Sequence, residues 1–295
     1  MFDSYLLLIH HLGKKYYRFK SVVSKPTEIY ILQLNDLEIM IENKIEKIAV
    51  LIDGDNAQAK LLKAILEEIA KYGKVTIRRI YGDWTQSNMN SWKDLLNDLS
   101  FTPIQKFSYT SGKNSTDGAL IIDAMDILHS GVVDGFCIVS SDSDYTGLAK
   151  RIREEGVFVM GVGEKKTPNA FVRSCEVFTF SENIVREEVL EEEEAADKSK
   201  IASANKVNKE YAKVDLALID KAYFMSNKED SEMFVSALGT NLRKIDPSFD
   251  SRAHGFYNLS KLLESLSEYE VSKIEIGGVK HNIARRKQKL TRKKS

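Results

Sequence analysis

Four carboxylates stand where acids do chemistry. Asp53 ends the run Ile48-Ala49-Val50-Leu51-Ile52, with Gly54-Asp55-Asn56 behind it. Asp142 and Asp144 follow a second run, Phe136-Cys137-Ile138-Val139, across Ser140 and Ser141. An uninterrupted apolar run reads as a strand buried on both faces of a parallel sheet, and open α/β sheets bind ligands outside the carboxyl ends of their strands. Asp117 opens a helix that Thr116 is placed to cap and that runs to His129. At about 100° per residue, Asp117 shares a side with Leu120, Ile121, Ala124 and Leu128, where a carboxylate is costly unless something pairs with it. Asp123 and Asp126 fall on the other side and read as surface groups.

In a doubly wound sheet the first and fourth strands flank the switch point, so Asp53, Asp117, Asp142 and Asp144 converge at one edge. Such a group, with no His or Cys at ligand spacing, suits a hard divalent cation, Mg²⁺ or Mn²⁺. Without the ion, mutual repulsion raises carboxyl pKa values. With it, bound water becomes a nucleophile, and both attacking and leaving oxygens of a phosphodiester can be held. Asn56, Ser140, Ser141 and Ser143 are placed to orient ligands or water. Other readings stay open. Asp55 and Asp144 precede helices and fit N-caps. Asp53 with Asp55 also fits the covalent nucleophile of a phosphatase-like site, with nothing downstream to support it. Lys113, Lys165 and Lys166 lie at the same edge and fit phosphate contacts or plain surface lysines. Trp84 fits base stacking or lid packing. Of Arg78 and Arg79, which alternate faces, at most one reaches the edge.

The elements that must position these groups alternate. Strands are expected at 48–52, 75–81, 101–109, 136–140, 157–162 and 177–180. Helices are expected at 57–72, 88–99, 116–129 and 145–155, with a short one after Pro168. This pattern predicts an α/β domain with a parallel sheet, right-handed crossovers and helices on both faces. Glu187 to Lys213 has few large apolar residues and reads as a linker. A second unit follows, with helices at 214–225, 232–245 and 256–264 and a last strand at 269–276. It suggests a small winged-helix-like α+β module. Residues after Gly278 read as a disordered tail.

The 295 residues are 43% apolar and 29% charged with zero net charge, the composition of a soluble globular protein. Charge is unevenly placed: residues 187–194 hold six glutamates, and residues 279–295 hold eight Lys or Arg and no acid. The basic stretch suits salt-sensitive, sequence-independent binding of RNA. Cys137 and Cys175 lie in apolar runs and read as reduced core thiols, which points to the cytoplasm. Tyr5-Leu6-Leu7-Leu8-Ile9 is too short to span a membrane, which takes ~20 residues, and lacks the basic flank of a signal peptide. Met40 precedes the first clear strand and is a candidate translation start.

Three segments in order carry a family resemblance: Ile48 to Asn56, Lys113-Asn114-Ser115-Thr116-Asp117, and Val139-Ser140-Ser141-Asp142-Ser143-Asp144-Tyr145. Together they resemble the NYN domain, the PIN-like, LabA-like ribonucleases, although Tyr145 stands where that family often has Phe. The resemblance implies a three-layer PIN-like (Rossmann-like) fold and a metal-dependent nuclease acting on RNA, with Asp53, Asp117, Asp142 and Asp144 on Mg²⁺ or Mn²⁺ and Asn56 in support. Ala217 to Ala222, Leu238 to Asp250, His254-Gly255-Phe256 and Leu259 to Leu263 look like an OST-HTH (LOTUS) domain, with Asp230 to Phe234 replacing its usual Gly-Trp segment. That implies RNA or a protein as partner. The resulting plan is an extension at 1–45, the nuclease domain at 46–185, a charged linker at 186–212, the LOTUS domain at 213–276 and a basic tail at 277–295. The alternative from another class is a non-catalytic adaptor whose acidic pocket only binds RNA ends or a metal.

Overall fold

The computed structural model describes residues 45–106, 115–186, 211–226, 232–276 and 278–287; the side chains of 115–117 are not among them. The extension with Met40, the loop with Lys113 and nearly all of the charged linker thus lie outside the described residues.

Six strands form one sheet: β1 (Lys47–Asp53), β2 (Lys74–Gly82), β3 (Thr102–Gln105), β4 (Gly135–Val139), β5 (Phe158–Gly163) and β6 (Val177–Phe180). All neighbours are parallel, in the order β3-β2-β1-β4-β5-β6. The chain winds outward from β1 to β3 and then crosses to β4, so β1 and β4 flank the point where the winding reverses. Between strands run α1 (Leu62–Ala70), α2 (Lys93–Asp98), α3 (Ser115–Ser130), α4 (Thr146–Glu154) and α5 (Asn169–Ser174).

β1 shows why its sequence lacks polar alternation. Ile48 to Ile52 are all fully buried. Ala49 and Leu51 pack with Leu120, Ala124 and Phe136 on one face. Ile48, Val50 and Ile52 pack with Leu62, Ile65 and Trp92 on the other. Each buried Ile, Leu or Val contributes roughly 1.5–3 kcal/mol of transfer free energy, so the strand that ends in Asp53 is firmly held. The cysteines, free and buried, belong one to each face. Burial pushes both thiols up, Cys175 to about 12.

Several helices start later than the sequence pattern suggests. After Asp53 the amides of Asn56 and Ala57 bond back to its carbonyl. This turn delays the helix, and residues 59–61 form a 3-10 turn before α1. Residues 87–92 form another before α2. Helix α3 already includes Thr116, which therefore is not its cap.

The second domain comprises α6 (Leu216–Phe224), α7 (Val235–Ile245), α8 (Leu259–Glu264), β7 (Met233–Phe234), β8 (Tyr269–Ile276) and β9 (Val279–Arg286). Its antiparallel sheet has the order β7-β9-β8. Ile219, Leu238, Leu242, Leu262 and Tyr269 form its core. Asp215 caps α6 and Asn258 caps α8. Two expectations fail here. Met233 and Phe234 are not helical; they pair with Ala284 and Ile283. Residues 279–287 are no loose tail either. Gly278, at φ 81°, lies in a tight turn, and Val279 to Arg286 pair along β8. Buried Ile283 and Ala284 supply the core contact, and Arg286 forks onto Asp220 with two bonds of 2.7 Å.

The two domains touch. The Phe178 amide of edge strand β6 donates to the Pro247 carbonyl at 2.9 Å. Arg252, 6% exposed, reaches across to Glu68 on α1 at 2.8 and 2.9 Å while also holding Asp250. Burial alone would raise the Glu68 carboxyl; Arg252, helped by Lys71, outweighs it and holds that carboxyl below the ordinary range.

Candidate functional site

Asp53 is the last residue of β1 and is fully buried. Its Oδ2 accepts from Asn56 Nδ2 at 2.8 Å and from Ser140 Oγ at 3.0 Å. These two neutral donors orient the carboxylate; neither neutralises it. Ser140 follows β4 directly and is positioned by its amide, which bonds to Val162 of β5. The same Ser140 Oγ accepts from the Asp142 amide at 3.1 Å. One hydroxyl therefore ties the end of β1 to the turn that carries Asp142 and Asp144.

Asp142 is half-buried, and its Oδ1 accepts from the Asp144 amide at 3.0 Å, capping the 3-10 turn at 143–145. The cap role expected of Asp144 thus belongs to Asp142, because that extra turn separates Asp144 from α4. Asp144 itself is exposed. Asp55 is not the N-cap of the helix that follows: Gln58 and Leu61 precede the 3-10 turn and α1, and Asp55 accepts from Asn88 at 3.3 Å. Asp117 is the third residue of α3, which packs on β1, β2 and the 143–145 turn; its side chain lies outside the described residues. Among the described residues, no three His, Cys, Asp or Glu side chains close into a metal cage. The groups beside Asp53 are carboxylate, amide and hydroxyl, an oxygen-donor set suited to Mg²⁺ or Mn²⁺ rather than a softer metal.

Asp123 is more than a surface group. Though partly exposed, it accepts from Arg79 and from the Tyr81 hydroxyl, both on β2. Arg78 donates to the Leu99 carbonyl at 2.7 Å, so both neighbouring arginines have structural partners. Trp84 packs against the core beside Leu95 and Leu96, and its Nε1 donates to the Ile104 carbonyl at 3.0 Å. Lys165 and Lys166 are exposed after β5. Lys166 pairs with Glu164 at 2.8 Å, and its hydrogen bond, ahead of that from Gln58, holds the Glu164 carboxyl below its usual range. Ser141 Oγ accepts from the Glu164 amide at 2.9 Å.

Several contributors to this edge escaped the sequence reading. Glu164 and Gln58, 106 residues apart, join at 3.1 Å beside a small concavity lined by Asn56, Ser140 and Gly163. The carboxyl-edge rule that picked out Asp53 applies equally to Glu164. Trp92 Nε1 donates to the Gly54 carbonyl at 3.2 Å, bracing the turn behind Asp53. A Cβ on Gly163 would lie 2.6 Å from the Ser140 carbonyl oxygen, so only glycine lets β5 approach Ser140 this closely. Asp83, after β2, accepts from Thr85, Gln86 and Gln105; these bonds, Thr85's first, hold its carboxyl at about 2.

The model of the NYN domain matches residues 47–182, a span that contains Asp53, Asp117, Asp142 and Asp144. Residues 47–182 are an NYN domain. The OST-HTH/LOTUS model matches residues 201–281, in the order expected from the motifs. NYN domains form a PIN-like nuclease family, generally dependent on divalent metal, and OST-HTH/LOTUS domains are RNA-binding modules. The NYN domain here has the expected three layers, and the LOTUS domain pairs helices with a small antiparallel sheet. No curated protein matches the chain. Among solved structures, a Vibrio parahaemolyticus protein of unknown function matches at 20% identity and TM-score 0.39, covering 46% of this chain and 93% of its own. The second catalytic domain of an Ostrinia furnacalis group II chitinase matches at 9% identity and TM-score 0.21, covering 47% and 50%. Both scores are too low to build on. Among the described residues, no helix is long and apolar enough to cross a membrane.

Proposed function

We propose that this protein is a cytoplasmic, Mg²⁺- or Mn²⁺-dependent endoribonuclease. Asp53, Asp117, Asp142 and Asp144 would hold the cation, which when bound supplies Lewis acidity and an activated water for phosphodiester hydrolysis. The observation that carries this reading is the Ser140 hydroxyl, which joins the buried Asp53 carboxylate to the Asp142 backbone at the sheet's switch point. Asn56 and Ser140 keep Asp53 in one orientation, and Ser141 fixes the neighbouring turn through Glu164. We assign Lys113, Lys165 and Lys166 to substrate phosphates; Lys166 would exchange its Glu164 contact for RNA. The nuclease domain spans residues 46–185 on this reading. The LOTUS domain, with β9 included, retains the RNA or engages a protein partner.

A second reading, the non-catalytic adaptor, draws on the cap: Asp142 has structural work to do without any metal. One assay separates the two. Full-length protein is incubated with mixed single-stranded and structured RNA, with Mn²⁺ or with EDTA, beside Asp142→Asn. Asn caps a turn as well as Asp does, so the variant keeps its fold. The nuclease reading predicts Mn²⁺-dependent cleavage that Asp142→Asn abolishes at unchanged melting temperature. Unchanged cleavage by the variant sinks the mechanism, and no cleavage of any substrate favours the adaptor.

A further inference from the structure

A second site lies away from the acidic edge, where the two domains meet. Helix α1 leaves the carboxyl edge after β1 and returns toward the amino end of β2, so Glu68 and Tyr72 mark its far end. There a cavity of about 190 Å³ opens between α1, β6, α7 and the Asp250–Arg252 turn. One water needs only about 10–15 Å³ on that measure, so the space admits a polyatomic ligand.

The acids that line it already have cationic partners. Glu68 and Asp250 are both engaged by Arg252, and Lys71, outside the cavity, adds a second cation at 2.9 Å from Glu68. Arg243, half-buried on α7, also lines the cavity, and among the described residues it has no hydrogen bond or ion pair. The cavity's charged lining is thus two acids, Glu68 and Asp250, and two arginines, of which Arg252 is committed to both acids and Arg243 to neither. The hydroxyls of Tyr72, Thr179 and Ser251 line the same space, and none makes a side-chain hydrogen bond to another described residue. A spare guanidinium with three hydroxyl donors and no spare carboxylate is the complement of an anion that only accepts.

We propose that this junction binds a phosphate group, with Arg243 supplying the charge and Tyr72, Thr179 and Ser251 the further donors. The phosphate is either one phosphodiester of a bound RNA, held remote from the cutting edge, or free phosphate. Phosphate binding here does not depend on the nuclease reading; the RNA arm rests only on the chain binding RNA. The test uses full-length protein in EDTA, so cleavage plays no part. Inorganic phosphate is titrated while the melting temperature is followed in wild type, Arg243→Gln, the milder Ser251→Ala, and Lys244→Gln as a neighbouring control. Labelled single-stranded RNA is then titrated by fluorescence anisotropy over a range of salt. Phosphate is expected to raise the melting temperature of wild type and Lys244→Gln but not of Arg243→Gln, with Ser251→Ala between them. If RNA is the source, Arg243→Gln weakens RNA binding roughly 10-fold and lowers the salt slope by about 0.7. Phosphate stabilisation with unchanged RNA affinity assigns the site to free phosphate. Equal phosphate response and equal RNA affinity in all four proteins overturn the proposal.

Discussion

Asp53 and Ser140 make the site's smallest working unit. Ser140 donates to Asp53 and accepts from the Asp142 amide, so its removal loosens both acids at once. Residues that orient ligating groups typically cost about 10–100-fold in metal affinity or activity when removed. Ser140→Ala is therefore expected to lower RNA cleavage within that range. It should also cost about 1–3 kcal/mol of stability, because buried polar groups lose a partner. Urea unfolding together with initial cleavage rates checks both. At this scale the sequence was only partly legible. Asp53, Asn56 and Ser140 announced themselves by standing directly behind apolar runs. Asp142 as a cap did not, because the 3-10 turn after it leaves no helical period to read. Nor did the pairing of Asp123, whose partners Arg79 and Tyr81 lie more than 40 residues away and meet it only once α3 has packed on β2.

The elements matter because β1, β4 and β5 end in register. Ile52 pairs with Val139, and Val139 pairs with Val162, so Asp53, Ser140 and Gly163 follow side by side. Gly163→Ala would force its Cβ against the Ser140 carbonyl oxygen and Thr167 Oγ1, at 2.6 and 2.7 Å. Overpacking of this kind costs about 1–3 kcal/mol. The expected outcome is a lower melting temperature and reduced cleavage, because Ser140 must move. A variant with wild-type stability and rate would show that this close approach does not position the site. Strand cores were readable as uninterrupted apolar runs, and β6 has the bounds that its sequence suggests. β9 was missed because Lys280, Arg285 and Arg286 dominate its composition, while its pairing depends on β7 and β8. The Gly277-Gly278 pair before it was the available hairpin signal.

Over the whole molecule, the NYN and LOTUS domains are joined by a buried charge cluster that no local pattern foretells, since Glu68 and Arg252 are 184 residues apart. It should leave an acid signature. Glu68 has a folded pKa below its unfolded value of ~4.3, and Asp83 sits at about 2. A lowered carboxyl pKa contributes stability that is present above the unfolded value and lost as pH falls through the folded one. Unfolding free energy should therefore decline as pH drops from about 4.5 toward 2, and Glu68→Gln should flatten that decline. Urea titrations across this window test it, and an identical pH profile for the variant would remove Glu68 from the account.

On the proposed reading the acids at the switch point would hold a cation and cut RNA. The rate of RNA cleavage by Asp53→Asn against wild type, at saturating Mn²⁺ with both proteins shown to be folded, tests this most directly. Asn preserves the shape of Asp53 but removes its charge. Lost metal catalysis of several kcal/mol predicts a fall of roughly 100-fold or more, with wild type silent in EDTA. Equal rates for the two proteins, or wild-type cleavage that persists in EDTA, would contradict it.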